Sequence, residues 1–192
     1  MQECRIAAVD LACRRGERVL FSGLSFQLGP GEALQITGPN GVGKSSLLRI
    51  LCGLLRPLAG SVEHEGEIGL IDESHALDMA LPLGKALAFW QRIDGPADDR
   101  LARLGLADLL DIPVGYLSTG QKKRAALARL IGQNAPVWLL DEPLNGLDAQ
   151  GAELVQELAE EHCRAGGVCV IASHQPLAMQ GLRSLALAEF EQ

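Results

Sequence analysis

Nine residues, Gly38-Pro39-Asn40-Gly41-Val42-Gly43-Lys44-Ser45-Ser46, restrict what this chain can fold into more than any other stretch. They fit the pattern G-x-x-x-x-G-K-[ST]. The five residues before them, Ala33-Leu34-Gln35-Ile36-Thr37, have strand character. Those after, Leu47-Leu48-Arg49-Ile50-Leu51, have helical spacing and run to Gly53, where a helix would stop. Strand, glycine loop and helix in that order are the context that separates a phosphate-wrapping loop from a chance match. Glycines let the backbone curl with its N–H groups pointing inward, in conformations a Cβ would forbid. The helix starting near Lys44 adds the positive end of its dipole. Lys44 is then placed for the terminal phosphates of a nucleotide, and the Ser45 hydroxyl for Mg²⁺.

Around this loop the chain alternates between strand and helix patterns. Residues 6–11, 19–21, 25–28 and 33–37 read as short strands separated by Arg15-Gly16-Glu17 and Gly29-Pro30-Gly31, an antiparallel layer leading into the loop. Residues 60–64 and 67–71 read as a further strand pair around Glu65-Gly66. From Asp72 to Val114 the spacing turns helical, over 83–92 and 97–104 with a break at Asp94-Gly95-Pro96. That predicts a helical insertion packed beside the sheet. Leu117-Ser118-Thr119-Gly120-Gln121 then opens a strongly helical segment, with Ser118 and Gln121 spaced as a capping box. Taken alone, the box is a complete structural explanation, and Lys122-Lys123-Arg124 after it reads as a solvated helix face.

Two later runs look like buried strands that deliver polar groups at their carboxyl ends. Val137-Trp138-Leu139-Leu140 leads into Asp141-Glu142-Pro143, and Val168-Cys169-Val170-Ile171-Ala172 leads into Ser173-His174. Ligands of parallel α/β sheets bind at that edge. Asp141 is accordingly a candidate Mg²⁺ ligand opposite Ser45, and Glu142 a candidate to polarise an attacking water. His174, at the end of a strand of the same kind, is a candidate for the same site. Between them, residues 149–165 read as a helix with Asp148 as its N-cap.

The net charge of −7 argues against a general nucleic-acid surface. No run approaches eighteen apolar residues, and Met1-Gln2-Glu3-Cys4-Arg5 shows no signal-peptide pattern, so any membrane connection is expected through a partner. Five cysteines without a C-x-x-C pair read as reduced, buried thiols. His64, His75 and His162 lack metal-ligand spacing.

In order and spacing these pieces resemble the ATP-binding cassette (ABC) ATPases over nearly the whole chain. The resemblance implies an α/β P-loop NTPase fold, an ABC nucleotide-binding domain with an antiparallel β layer and an inserted helical subdomain. One domain would span 1–192, with 1–71 and 134–192 as its core and 72–133 as a lobe bearing the signature. Gly38 through Ser46 would be the Walker A loop. Ser118, Thr119, Gly120 and Gln121 would be signature residues presented to ATP on a second copy. Asp141 would end Walker B, Glu142 would be the catalytic carboxylate, Asn145-Gly146-Leu147-Asp148 the D-loop and His174 the switch histidine. ATP and Mg²⁺ are the implied cofactors, and a head-to-tail homodimer on an integral membrane subunit the implied assembly. Asp111-Ile112-Pro113-Val114-Gly115-Tyr116 before the signature, together with Ser173-His174-Gln175-Pro176-Leu177, is similar to the ATPases of bacterial cytochrome c maturation. That implies haem handling at the cytoplasmic face of the inner membrane.

The chain departs from the ABC pattern in four places. Thr119 stands where Gly or Ala is commoner, and Asn145-Gly146 replaces a small Ser-Ala pair. No Gln follows 67–71 where one usually reaches Mg²⁺; Ser74 is the positional candidate and Glu73 the second. No aromatic stacks on adenine near Cys13, which leaves the Arg14 guanidinium for that role. Other readings are a subunit of a different exporter, a soluble ABC protein acting on ribosomes or DNA, and a weakly hydrolysing subunit.

Overall fold

The computed structural model describes residues 4–74, 76–94 and 100–191. Met1-Gln2-Glu3 of the N-terminal stretch, His75, and Gly95 to Asp99 around the expected helix break lie outside the described residues.

The chain opens with a long antiparallel hairpin, β1 (Arg5–Arg15) and β2 (Arg18–Leu28). Residues 19–21 and 25–28, expected as separate strands, are one strand here. The irregularity is taken up opposite, where β1 shifts register between Ala8 and Leu11 around Asp10 at φ 49°. Next come β3 (Ala33–Thr37), α1 (Lys44–Leu51), β4 (Ala59–Glu65) and β5 (Ile68–Ile71).

The expected pairing of residues 60–64 with 67–71 does not occur. β4 pairs antiparallel with β1, placing Ile6 opposite His64, whereas β5 runs parallel to β6 (Val137–Asp141). Gly66, packed against Pro136, is where the chain passes from one sheet to the other. A short turn between two strands signals a hairpin only if both find their partners in each other; here each has a longer-range partner.

The lobe carries α2 (Leu83–Asp94), the short α3 (Arg100–Arg103) and α4 (Thr119–Gln133). Beyond β6 follow α5 (Ala149–Arg164), β7 (Val168–Ala172) and β8 (Arg183–Ala186). One sheet is antiparallel in the order β2-β1-β4, and the other is wholly parallel in the order β5-β6-β7-β3-β8. β3, expected at the end of the antiparallel layer, lies between β7 and β8 in the parallel sheet.

Period-two alternation splits the parallel sheet's side chains between two cores. Val137 and Leu139 of β6 face a core shared with β1, β2 and α1, while Trp138 and Leu140 face one shared with α2, α4 and α5. Every residue of β6 and β7 is buried. Burying each large aliphatic side chain of this kind contributes roughly 1.5–3 kcal/mol. The three central strands therefore form a rigid platform for whatever their carboxyl ends carry.

Candidate active site

Register places those ends side by side. Ile36 of β3 aligns with Ala172 of β7, and Ala172 aligns with Asp141 of β6. The glycine loop, Glu142 and Ser173-His174 thus leave the sheet at one edge.

The loop is shaped by close packing as well as by torsion angles. Gly43 caps α1 at φ 116°, and a Cβ there would meet the Phe21 ring at 3.1 Å. Phe21 of the antiparallel layer is thus buried beneath the loop. The Lys44 ammonium, almost fully buried, donates to the Gly38 carbonyl at 2.9 Å and the Pro39 carbonyl at 3.4 Å. It also lies 3.3 Å from Glu142 Oε1. The other Glu142 oxygen, Oε2, is 2.9 Å from His174 Nδ1. One carboxylate therefore joins a lysine from the loop to a histidine from the end of β7, as expected for residues of one site.

Glu142 sits in the left-handed region at φ 45°, which costs a residue with a Cβ of order 1 kcal/mol. Its peptide is held at both ends: its N–H donates to the Ala172 carbonyl at 2.8 Å, and its carbonyl accepts from Lys123 Nζ. Asp141, one residue earlier, is buried, and its Oδ1 has no hydrogen-bond partner. Burial pushes the Asp141 carboxyl above its ordinary value; the Ser45 hydroxyl opposes that shift and the Glu142 charge adds to it. A buried, unsatisfied carboxylate oxygen beside a hydroxyl suits an oxygen-seeking cation.

Sequence reasoning passed over several supports. Buried Gln35 donates from β3 to the Gln175 carbonyl at 2.7 Å, and Gln175 donates in turn to Asn145 Oδ1 at 3.1 Å. Ser173, wholly buried, donates to the same Gln175 carbonyl and accepts from the Gln175 N–H. These bonds fix the turn that presents His174. A buried Gln inside an otherwise apolar strand was the available signal.

The basic run of α4 is not a solvated face. Lys122 reaches the Gly115 carbonyl, Lys123 is buried on Glu142, and Arg124 reaches the Leu104 carbonyl. Each cation caps a backbone carbonyl of an adjoining turn.

At the start of α4 the capping box forms in full, Ser118 Oγ accepting from the Gln121 N–H and Gln121 Oε1 from the Ser118 N–H. Thr119 is the first helical residue and is not among the positive-φ residues, so its β-branch is not strained there. The two departures noted at Thr119 and Gly146 are in contact with each other. Gly146 lies at φ 77°, and a Cβ on it would come within 3.0 Å of Thr119 Cγ2. A Cβ on Gly120 would meet the Gly146 carbonyl at 3.1 Å. The threonine methyl thus occupies space that the glycine leaves open.

Gly146→Ala should destabilise the chain by about 1–2 kcal/mol through left-handed strain, roughly 2–8 °C in thermal midpoint at this size. Part of the loss should disappear when Thr119→Ala is present as well. Equal losses in both backgrounds, by calorimetry, would show that the methyl and the glycine do not interact.

Asp148 caps α5, its carboxylate accepting from the Gly151 N–H at 2.8 Å. Ser74 is exposed and bound to Asp72, and Asp72 also faces Arg49 at 3.8 Å. Of the two candidates there, Glu73 is the one whose charge acts on Asp141 and Lys123. Arg14 lies exposed near the closed end of the hairpin, opposite Val19. The structure brings neither Ser74 nor Arg14 onto the Lys44–Glu142–His174 cluster. All five cysteines are free, four of them buried.

Known proteins resemble this chain in sequence and in fold. Residues 21–145 match the family model described as ABC transporter. A cytochrome c biogenesis ATP-binding export protein, CcmA, of Novosphingobium aromaticivorans is 59% identical over 191 residues, covering 100% of both chains. Its counterpart in Zymomonas mobilis is 48% identical, covering 97% of this chain and 86% of the other. Among solved structures, a metal-chelate type ABC transporter in an inward-facing conformation superposes with a TM-score of 0.76 at 26% identity, covering 92% of this chain and 75% of that one. CbiO1 of Clostridium perfringens superposes at 0.71 and 27% identity, covering 88% and 78%.

Proposed function

The chain belongs to the ABC transporter family, and from that premise we propose that it is the ATP-binding and hydrolysing subunit of an export complex serving cytochrome c biogenesis. The observation that carries the chemistry is the Glu142 carboxylate bridging Lys44 and His174 at the sheet edge. In this reading the loop from Gly38 to Ser46 wraps the phosphates, and Lys44 leaves its carbonyl partners for them. Glu142 takes a proton from the attacking water, and His174 orients Glu142 and faces the terminal phosphate. Ser45 and Asp141 hold Mg²⁺, a fit supported by the unsatisfied Asp141 oxygen; when bound, the ion neutralises phosphate charge.

The signature helix α4 packs in a different core from the glycine loop, on the other face of the parallel sheet. That supports two copies arranged head to tail, each Ser118 turn closing on the other's ATP. Release of phosphate then lets the pair open. Among the described residues no helix is long and apolar enough to cross a membrane. The work of opening and closing is accordingly delivered to an integral membrane partner of the cytochrome c maturation system, at the cytoplasmic face of the inner membrane. Segment 72–133 serves as the lobe facing that partner, and 1–71 with 134–192 as the nucleotide-binding body.

The test is a haem stain for covalent c-type cytochromes. The host lacks its own maturation ATPase and carries this chain with its cognate membrane subunits. Restoration is expected with the wild-type chain and none with Lys44→Ala. A well-expressed, ATP-hydrolysing chain that restores nothing would sink the cytochrome c assignment and leave the ATPase standing.

A further inference from the structure

We propose that Lys123 is a positioning residue for hydrolysis, tying the start of α4 to the backbone of Glu142 and so fixing where the Glu142 carboxylate points. The inference rests on Glu142 being the base. Lys123 is 9% exposed, and its ammonium donates to the Glu142 carbonyl. Among the described non-glycine residues of this edge, Glu142 is the one with a left-handed backbone, at φ 45°. Its N–H is already taken by Ala172. With the carbonyl held by Lys123 and also by the Asn145 N–H at 3.3 Å, the backbone here cannot relax toward an extended conformation without breaking one of these bonds.

The charge of Lys123 has a second effect. Burial pulls the Lys123 ammonium below its ordinary value, and the charges of Glu142, Asp141 and Glu73 oppose that shift. Lys44 and Arg49 are the other cations near these carboxylates, and Lys44 is committed to phosphate once nucleotide enters. Lys123 then remains, with Arg49, as a fixed countercharge, and it is the one bonded to Glu142. Its neighbours cap carbonyls elsewhere, Lys122 on Gly115 and Arg124 on Leu104, so the role belongs to this position and not to the basic run as a whole.

Lys123 also connects two sites. It sits about one and a half helical turns after Ser118, which in this reading serves the partner's ATP, and it touches the residue that acts on its own chain's ATP. Movement of the signature turn as a dimer closes would therefore reach Glu142 through one hydrogen bond.

The experiment measures steady-state hydrolysis, binding of a fluorescent ATP analogue and thermal unfolding for Lys123→Met, Lys123→Arg, Lys122→Met and Glu142→Gln in the full chain. Expected for Lys123→Met is a fall in kcat of about ten- to a hundredfold, the effect of a misplaced reacting group. Nucleotide affinity should stay within about threefold, the pattern of an interaction made only in the transition state. Lys123→Arg, which keeps a charged donor, should recover most of kcat, and Lys122→Met should match wild type. A folded Lys123→Met chain with wild-type kcat overturns the proposal, as does an equal loss of affinity and kcat. If the Met variant does not fold, the Arg variant decides: slow hydrolysis by a folded, ATP-binding Arg chain overturns it. Loss of cooperative unfolding in both assigns Lys123 to the fold alone and also overturns it. Should Glu142→Gln hydrolyse ATP normally, the base assignment itself fails, a result distinct from any of these.

Discussion

Glu142→Gln is expected to bind ATP as well as the wild-type chain or better while hydrolysing it about a hundred- to ten-thousandfold more slowly, the usual worth of a positioned general base. Glutamine keeps the length and shape of the side chain and tolerates φ 45° no worse than glutamate, so the fold should be unaffected. The amide still accepts a hydrogen bond where the carboxylate did, but it takes no proton from water. It also removes the anion 3.3 Å from Lys44, leaving that ammonium freer for phosphate. Bound ATP that is not cleaved should hold two chains together. Light scattering with ATP and Mg²⁺ should therefore report a dimer that the wild-type chain forms only transiently. A variant that remains monomeric under those conditions would sink the head-to-tail arrangement; one that still releases phosphate at the wild-type rate would sink Glu142 as the base.

Ser118→Arg should suppress turnover about a hundredfold or more, the cost of losing an anion-binding donor site, with the nucleotide affinity of a single chain unchanged. Removing the Ser118 hydroxyl also removes the bond it accepts from Gln121, a cap worth about 1 kcal/mol. Ser118→Ala isolates that structural loss and should cost far less activity. The glycine loop proposed to hold ATP in the same chain packs in the other core, so affinity should not follow turnover. Mixing the two inactive variants is the more searching assay. A Ser118→Arg chain keeps a sound loop and base, and a Glu142→Gln chain keeps a sound signature turn, so their mixed dimer assembles one complete site. Activity should reappear on mixing. Its absence where mixed dimers demonstrably form would mean that Ser118 has been misplaced, as would a parallel fall in single-chain affinity.

What could be read in the sequence was what is decided within a few residues. The glycine loop, the Ser118–Gln121 box, the Asp148 cap and the carboxylates closing β6 each depend on neighbours along the chain, and each appears as expected. Pairing over distance was not legible. Residues 60–64 and 67–71 carry the local signature of a hairpin, yet β1 and β6 claim them separately. Lys123 was read as solvated because it lies in a run of three cations. Its partners at i+3, i+4 and i+7, namely Ala126, Leu127 and Leu130, are all buried, which marks the inward face of α4. The Gln35–Gln175–Asn145 chain was hidden for another reason, since an amide in a strand declares its partner only after the strands are ordered.

The division of the interior by the parallel sheet has a directional consequence. A chain that must grip one nucleotide while offering a surface to a different one needs two grips that cannot be brought onto the same target. Here the loop stands with α1 on one side of a five-stranded plate and the Ser118 turn leads α4 on the other. In the head-to-tail arrangement proposed above, the plate keeps each copy's loop and the body of its α4 in separate cores, and each copy's ATP is completed by a neighbour turned end for end.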